Sequence, residues 1–117
     1  MPIDQILAVV PVSDIATARS WYERLFGGSP TNAPMDSLVE WQVTESGWVQ
    51  VFLDRGRAGS GLLNLAVDDL KEHISLLVGR GLEPSAVKAA SNGVQLSALD
   101  DPDGNRITLI GGFRPEY

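Results

Sequence analysis

The chain has 117 residues, of which 44% are hydrophobic and 21% charged, with a formal net charge of −6 and no cysteine. That composition describes one globular domain and excludes disulfides, thiolate metal sites and cysteine nucleophiles. An acidic chain with nine Lys and Arg lacks the clustered positive charge that a nucleic-acid backbone requires, so no nucleic-acid partner is expected.

No stretch approaches the roughly 18 apolar residues of a spanning helix. The N-terminal Met1-Pro2-Ile3-Asp4-Gln5 has no positive region before an apolar run, and the reading is a cytoplasmic protein without a membrane partner. A chain of this length closes only a modest interior. A large cleft in one copy would leave apolar surface bare, so a homodimer is expected.

In chain order, Ile6 to Val12 reads as a strand, and Asp14 then caps a helix whose Ile15, Ala18, Tyr22 and Leu25 share one face, with Trp21 and Phe26 beside it. Gly27-Gly28 ends it. Leu38 to Val43 and Trp48 to Asp54 alternate as a hairpin around a turn near Ser46-Gly47. Asp54 to Gly61 joins two halves. Its glycine-rich run leads from one strand into another and opens no helix, so it reads as a flexible linker and not as a phosphate loop.

Leu62 to Val67 then begins the pattern again. Asp69 with Glu72 fits a capping box, and Leu70, Ile74, Leu77 and Val78 form the helical stripe before Gly79 and Gly81. Shorter strands are expected near Ser85 to Ala89, Val94 to Leu99 and Arg106 to Ile110, separated by Ser91-Asn92-Gly93 and Pro102-Asp103-Gly104 turns. Val12-Ser13-Asp14-Ile15 and Val67-Asp68-Asp69-Leu70 stand 55 residues apart at equivalent points. The order is βαβββ twice, an α+β fold, with the first strand after each helix the least sharply marked.

The doubled pattern, the two V-x-D helix entries, Trp21-Tyr22 followed by Leu25-Phe26-Gly27, and the closing Asp101-Pro102-Asp103-Gly104 together resemble the glyoxalase, bleomycin-resistance and dioxygenase superfamily (vicinal oxygen chelate fold). The resemblance covers nearly the whole chain. It implies a single domain, 1–117, with module one at about 1–55 and module two at about 61–117, and a curved mixed sheet around a cleft. It also implies a place for metal ligands. Where the family's enzymes carry His, this chain has Leu7 and Leu62; where they carry acidic ligands it has Gln50, within one alternation, and Thr108. Leucine offers no lone pair, and Gln and Thr are weak neutral donors, so no metal and no other cofactor is expected.

His73, the only histidine, falls inside the second helix and reads as a helix-surface residue. Asp68, Asp69, Asp100, Asp101 and Asp103 are explained by caps and turns, and no serine has a recognisable base, so no catalytic residue is assigned. The cleft gives a different signal. Alternation places Trp48, Gln50 and Phe52 on one face, with Leu7 and Val9, Leu62 and Asn64, and Thr108 and Ile110 on theirs. Leu7, Val9 and Ile110 could equally fill the core, whereas Trp48, Gln50 and Asn64 are the stronger binding candidates. Which of Glu40, Trp41 and Gln42 faces the cleft is open, as is whether a cleft is shared by the halves of one chain or by two chains.

Three functions are compatible with these residues. The first is a metal-independent protein, similar to the drug-sequestering branch, that binds a small apolar or aromatic molecule between Trp48 and Phe52. The second is a lyase, isomerase or dioxygenase with an atypical metal set such as Gln50, Asn64 and Glu40, or with none. The third is an interaction module with a closed cleft.

Overall fold

The structure is a computed structural model that describes residues 2–114. In chain order it has β1 (Ile6–Val12), α1 (Ile15–Phe26), β2 (Asn32–Met35), β3 (Leu38–Gln42), β4 (Gly47–Leu53), β5 (Leu62–Val67), α2 (Leu70–Gly79), β6 (Lys88–Ala89), a 3₁₀ turn at Ser91–Gly93, β7 (Gln95–Asp100) and β8 (Arg106–Gly111). They form two four-stranded mixed sheets with orders β1-β4-β3-β2 and β5-β8-β7-β6. Each module opens with a parallel pair, β1 with β4 and β5 with β8, and finishes antiparallel. The repeated βαβββ plan is therefore observed.

Helix entry follows the expected cap chemistry. Asp14 accepts a hydrogen bond from the Thr17 amide at 2.9 Å, its carboxyl being held below the usual range by the Thr17 side chain first and this amide second, and Asp69 accepts from the Glu72 amide at 3.1 Å. Only this half of the second capping box is present among the described residues. Gly27 ends α1 at φ +81°, a left-handed conformation that strongly favours glycine. Arg80, which ends α2, donates to the carbonyls of Arg24 and Leu25 and so closes the end of α1 from the other module.

One face of each sheet is covered by a helix. In module one, Val10, Val12, Val39, Trp41, Val49 and Val51 are buried with Ala18, Tyr22 and Leu25 of α1. Tyr22, Phe26 and Trp41 form a ring cluster, with centroids 5.4 to 6.1 Å apart. Trp41 thus belongs to the core, with its indole N–H donating to the Gly28 carbonyl at 3.0 Å, while Glu40 and Gln42 point to the other face. In module two, Leu63, Leu99, Ile107 and Leu109 are buried with Leu70 and Leu77 of α2. Gly111 is required here, because a Cβ would come within 2.8 Å of Leu70 Cβ. Val78 departs from the expected stripe and is 57% exposed, since its position lies at the edge of the arc defined by Leu70, Ile74 and Leu77.

Two further differences have local causes. The first strand after α1 is four exposed residues interrupted by Pro34 and a register shift against β3, which leaves no alternation to read. The segment 54–61 is also no free linker. The Asp54 carboxylate accepts from the Arg57 amide, Ser60 Oγ donates to the Arg57 carbonyl, and the Gly61 amide donates to Asn105 Oδ1.

The modules are joined through the Asp101-to-Asn105 turn. Asp101 is buried and accepts from Tyr22 Oη at 2.7 Å, Asn105 Nδ2 at 2.8 Å, and the Asp103 and Asn105 amides at 2.9 Å. Asn105 Nδ2 also donates to the Pro11 carbonyl, and Ser13 donates through its amide and hydroxyl to Asp103. Burial and the adjacent Asp101 charge push the Tyr22 phenol well above its ordinary value, so it stays a donor.

Candidate functional site

The strand faces that carry no helix hold every residue nominated as a binding candidate. Their arrangement follows from the register. Across module one, Leu7, Trp48 and Gln42 form one row; Val9, Gln50, Glu40 and Asn32 form the next; and Pro11, Phe52 and Leu38 form the third. Across module two the rows are Leu62, Arg106 and Asp100; then Asn64, Thr108 and Ala98; then Ala66, Ile110, Leu96 and Lys88.

The candidates do not meet in one hollow within a single chain. Val9, Gln50 and Phe52 line a concavity of about 630 Å³ with Pro11, Leu38, Asp54, Arg57, Ser60 and Gly61. Trp48 and Asn64 instead border a groove between the modules, beside Ile6, Leu65, His73, Leu76 and Arg80. Thr108 borders a third hollow on module two with Ser85, Lys88, Leu96, Asp100 and Arg106. Leu7, Leu62 and Ile110 line none of these, and Leu7 and Leu62 are 50% and 83% exposed. Trp48 and Phe52 share a face but stand four residues apart on β4, roughly 13 Å along the strand. The Gln50 row lies between them, so they are not opposing walls of one pocket.

Sequence reasoning left one important residue unplaced. Glu40 sits directly opposite Gln50, accepting from Gln50 Nε2 at 2.8 Å and from Asn32 Nδ2 at 3.1 Å. Pairing residues outward from the turn after Gln42 would have found it, because residues facing each other across an antiparallel pair share a face. Trp48 is held differently, its indole N–H donating to Gln5 Oε1 at 2.8 Å.

The four positions where the superfamily's enzymes hold a metal do not fit one here. Leu7 and Leu62 have no donor atom, and Thr108 and Gln50 offer only single neutral oxygens, the Gln50 Nε2 being bonded to Glu40. The alternative set of Gln50, Asn64 and Glu40 is divided, because Asn64 borders a hollow that neither of the others lines. No group of three His, Cys, Asp or Glu side chains suited to a metal ion occurs among the described residues. His73 lies half-buried on α2, where desolvation first and Arg80 second lower its pKa. No described helix is long and apolar enough to cross a membrane.

Two βαβββ modules, each with a helix on one sheet face and an open face on the other, define the vicinal oxygen chelate class of fold. Comparison with solved structures agrees. A glyoxalase/bleomycin resistance protein from Catenulispora acidiphila DSM 44928 is 31% identical over 92% of this chain and 96% of its own, with a TM-score of 0.85. The chain belongs to the glyoxalase/bleomycin resistance protein/dioxygenase superfamily.

At lower identity the likeness is one of fold. A bleomycin-binding protein complexed with bleomycin is 24% identical, covering 94% of this chain and 99% of its own, with a TM-score of 0.78. A lactoylglutathione lyase from Agrobacterium tumefaciens is 16% identical, covering 96% of each chain, with a TM-score of 0.76. No family model matches the sequence, and no curated protein matches it significantly.

Proposed function

We propose that this protein is a metal-independent small-molecule-binding member of its superfamily, akin to the drug-sequestering branch, and that its primary contact surface is the open face of module one. The observation that carries the reading is the concavity bordered by Val9, Pro11, Leu38, Gln50 and Phe52. Its volume of about 630 Å³ is in the range of ligand sites, and it combines apolar walls with few polar groups. The bleomycin-binding protein of the same fold supports the reading by analogy.

The working form is a homodimer in the cytoplasm. Val9 at 55% exposure, Leu7, Met35 and Leu62 leave apolar surface on the open faces of one copy, and a second copy placed over it would deepen the concavity into a cleft. Lyase, isomerase or dioxygenase chemistry is the weaker reading, because the ligand set it would draw on is neutral or divided between hollows.

Thermal denaturation against a panel of planar aromatic compounds tests the proposal. A binder should raise the melting temperature of the wild type and lose that effect in Phe52→Ala. A panel that shifts neither protein, with Trp48→Ala also unresponsive, would count decisively against binding at this face.

A further inference from the structure

Apart from Gln42 at the end of the first row, the polar side chains on the open face of module one lie in one transverse row. Gln50, Glu40 and Asn32 lie side by side on β4, β3 and β2, with Trp48 and Phe52 two residues to either side along β4. A glutamine side chain can present either end of its amide, and the neighbour decides which. A carboxylate accepts from N–H and repels a carbonyl oxygen, so the 2.8 Å contact from Gln50 Nε2 to Glu40 Oε2 fixes the amide in one orientation. Asn32 Nδ2 holds the other carboxylate oxygen at 3.1 Å, so Glu40 itself is anchored.

Two consequences follow. Gln50 Oε1 accepts no hydrogen bond among the described residues, although Gln50 borders the concavity. Any molecule that covers it without a donor leaves that acceptor stripped of water and unpaired, which disfavours binding. The row also carries a full negative charge. Glu40 stands beside the hollow, reached through Gln50, which borders it. The charged side chains that border the hollow themselves, Asp54 and Arg57, are paired with each other at 3.9 Å and offset one another.

We propose that Glu40 is the specificity-determining residue of this face: by orienting the Gln50 amide and charging the row, it selects planar ligands that present an N–H or O–H donor edge and rejects carboxylates. The inference rests on module one's open face being the binding surface, and it adds the chemical class of the ligand. A flat apolar body lies against Val9, Leu38 and Phe52, while its donor edge reaches Gln50 Oε1 and the Glu40 carboxylate. The second N–H of Gln50 can serve a neutral carbonyl on the same edge, but it does not reverse the sign of the row.

The test is an NMR titration of the intact chain with naphthalene, naphthalene-2-carboxamidine and naphthalene-2-carboxylate, following the Gln50 side-chain amide and the Phe52 signals. Wild type should bind the amidine about tenfold or more tighter than the carboxylate, the expected scale of a charge-assisted hydrogen bond. In Glu40→Gln the two should come within about twofold of each other. Glu45→Gln, which removes the same charge from the exposed β3–β4 turn, should keep the wild-type preference. A preference that survives in Glu40→Gln, or that falls equally in Glu45→Gln, overturns the proposal. Naphthalene binding with no discrimination in wild type overturns it while leaving the binding surface intact. If no probe moves the Gln50 and Phe52 signals, the binding surface itself is wrong and the selectivity falls with it.

Discussion

Module one and module two use the same strand order and the same helix entry, yet they spend their side chains differently. Module one closes its helix side with Tyr22, Phe26 and Trp41 and leaves Leu7, Val9, Trp48 and Phe52 on its open side. Module two closes its helix side with aliphatic residues and opens onto Arg106, Asp100, Asn64, Thr108 and Lys88. The inner faces are therefore interchangeable in purpose, since each excludes water from a core. The open faces are not. One gathers its polar groups, Gln42 aside, into a single row between apolar ones, and the other mixes Arg106, Asp100, Asn64, Thr108 and Lys88 with Leu62, Ala66, Leu96, Ala98 and Ile110, its ion pair exposed to solvent. Fold alone would weight both modules equally as sites, and the proposal for the first rests on its surface chemistry.

The comparison can be broken most forcefully at the turn that joins the modules. Asp101→Ala leaves the Tyr22 hydroxyl, the Asn105 amide and two backbone N–H groups short of an acceptor, so unfolding in urea should show a loss of about 3 kcal/mol or more. Tyr22→Phe removes one of these four donors and should cost about 1–3 kcal/mol.

Tyr22→Phe also tests a pH effect. The folded phenol is held above its ordinary value of 10.0, so the unfolded chain loses the proton first as pH rises. Stability from this group is complete below pH 10 and declines above it, by about 1.4 kcal/mol per pH unit. Wild type should show that decline more steeply than Tyr22→Phe, and equal slopes would show that burial and the Asp101 charge do not hold the folded phenol above its ordinary value.

Smaller effects separate the two open faces. Phe52→Ala, at a side chain already 37% exposed, should cost no more than about 1 kcal/mol of stability yet abolish ligand-induced stabilisation. Arg106→Ala should leave both the melting temperature and ligand response unchanged, because its bond to Asp100 lies in solvent and spans neighbouring strands that pair without it. A ligand response lost in Arg106→Ala and kept in Phe52→Ala would reverse the assignment of the two faces.

The sequence was informative wherever a local rule governs. Asp14, Gly27, Asp69 and the alternation of β1, β3, β4, β5 and β8 are matters of cap and strand chemistry within a few residues, and they could be read directly. β2 could not, since Pro34 and a register shift remove the alternating signal. β6, two residues long, leaves too short a run to bound. The bond from Tyr22 to Asp101 joins positions 79 apart and depends on how the modules meet, which no local pattern encodes.

The candidate site was legible as a set of faces. Its partition into separate hollows was not, because alternation gives direction without distance. Glu40 marks the boundary between the two kinds of knowledge. Its pairing with Gln50 is implied by the hairpin, but the orientation of the amide appears only when the side chains are placed.

The central claim is that module one's open face binds a planar small molecule, and chemical-shift mapping with a compound that raises the melting temperature tests it most directly. The account predicts perturbations concentrated at Val9, Leu38, Gln50 and Phe52, with Asn64 and Thr108 unmoved unless a partner copy brings them over the same ligand. Perturbations confined to Thr108, Leu96 and Arg106, or to the groove beside His73 and Leu76, would contradict it.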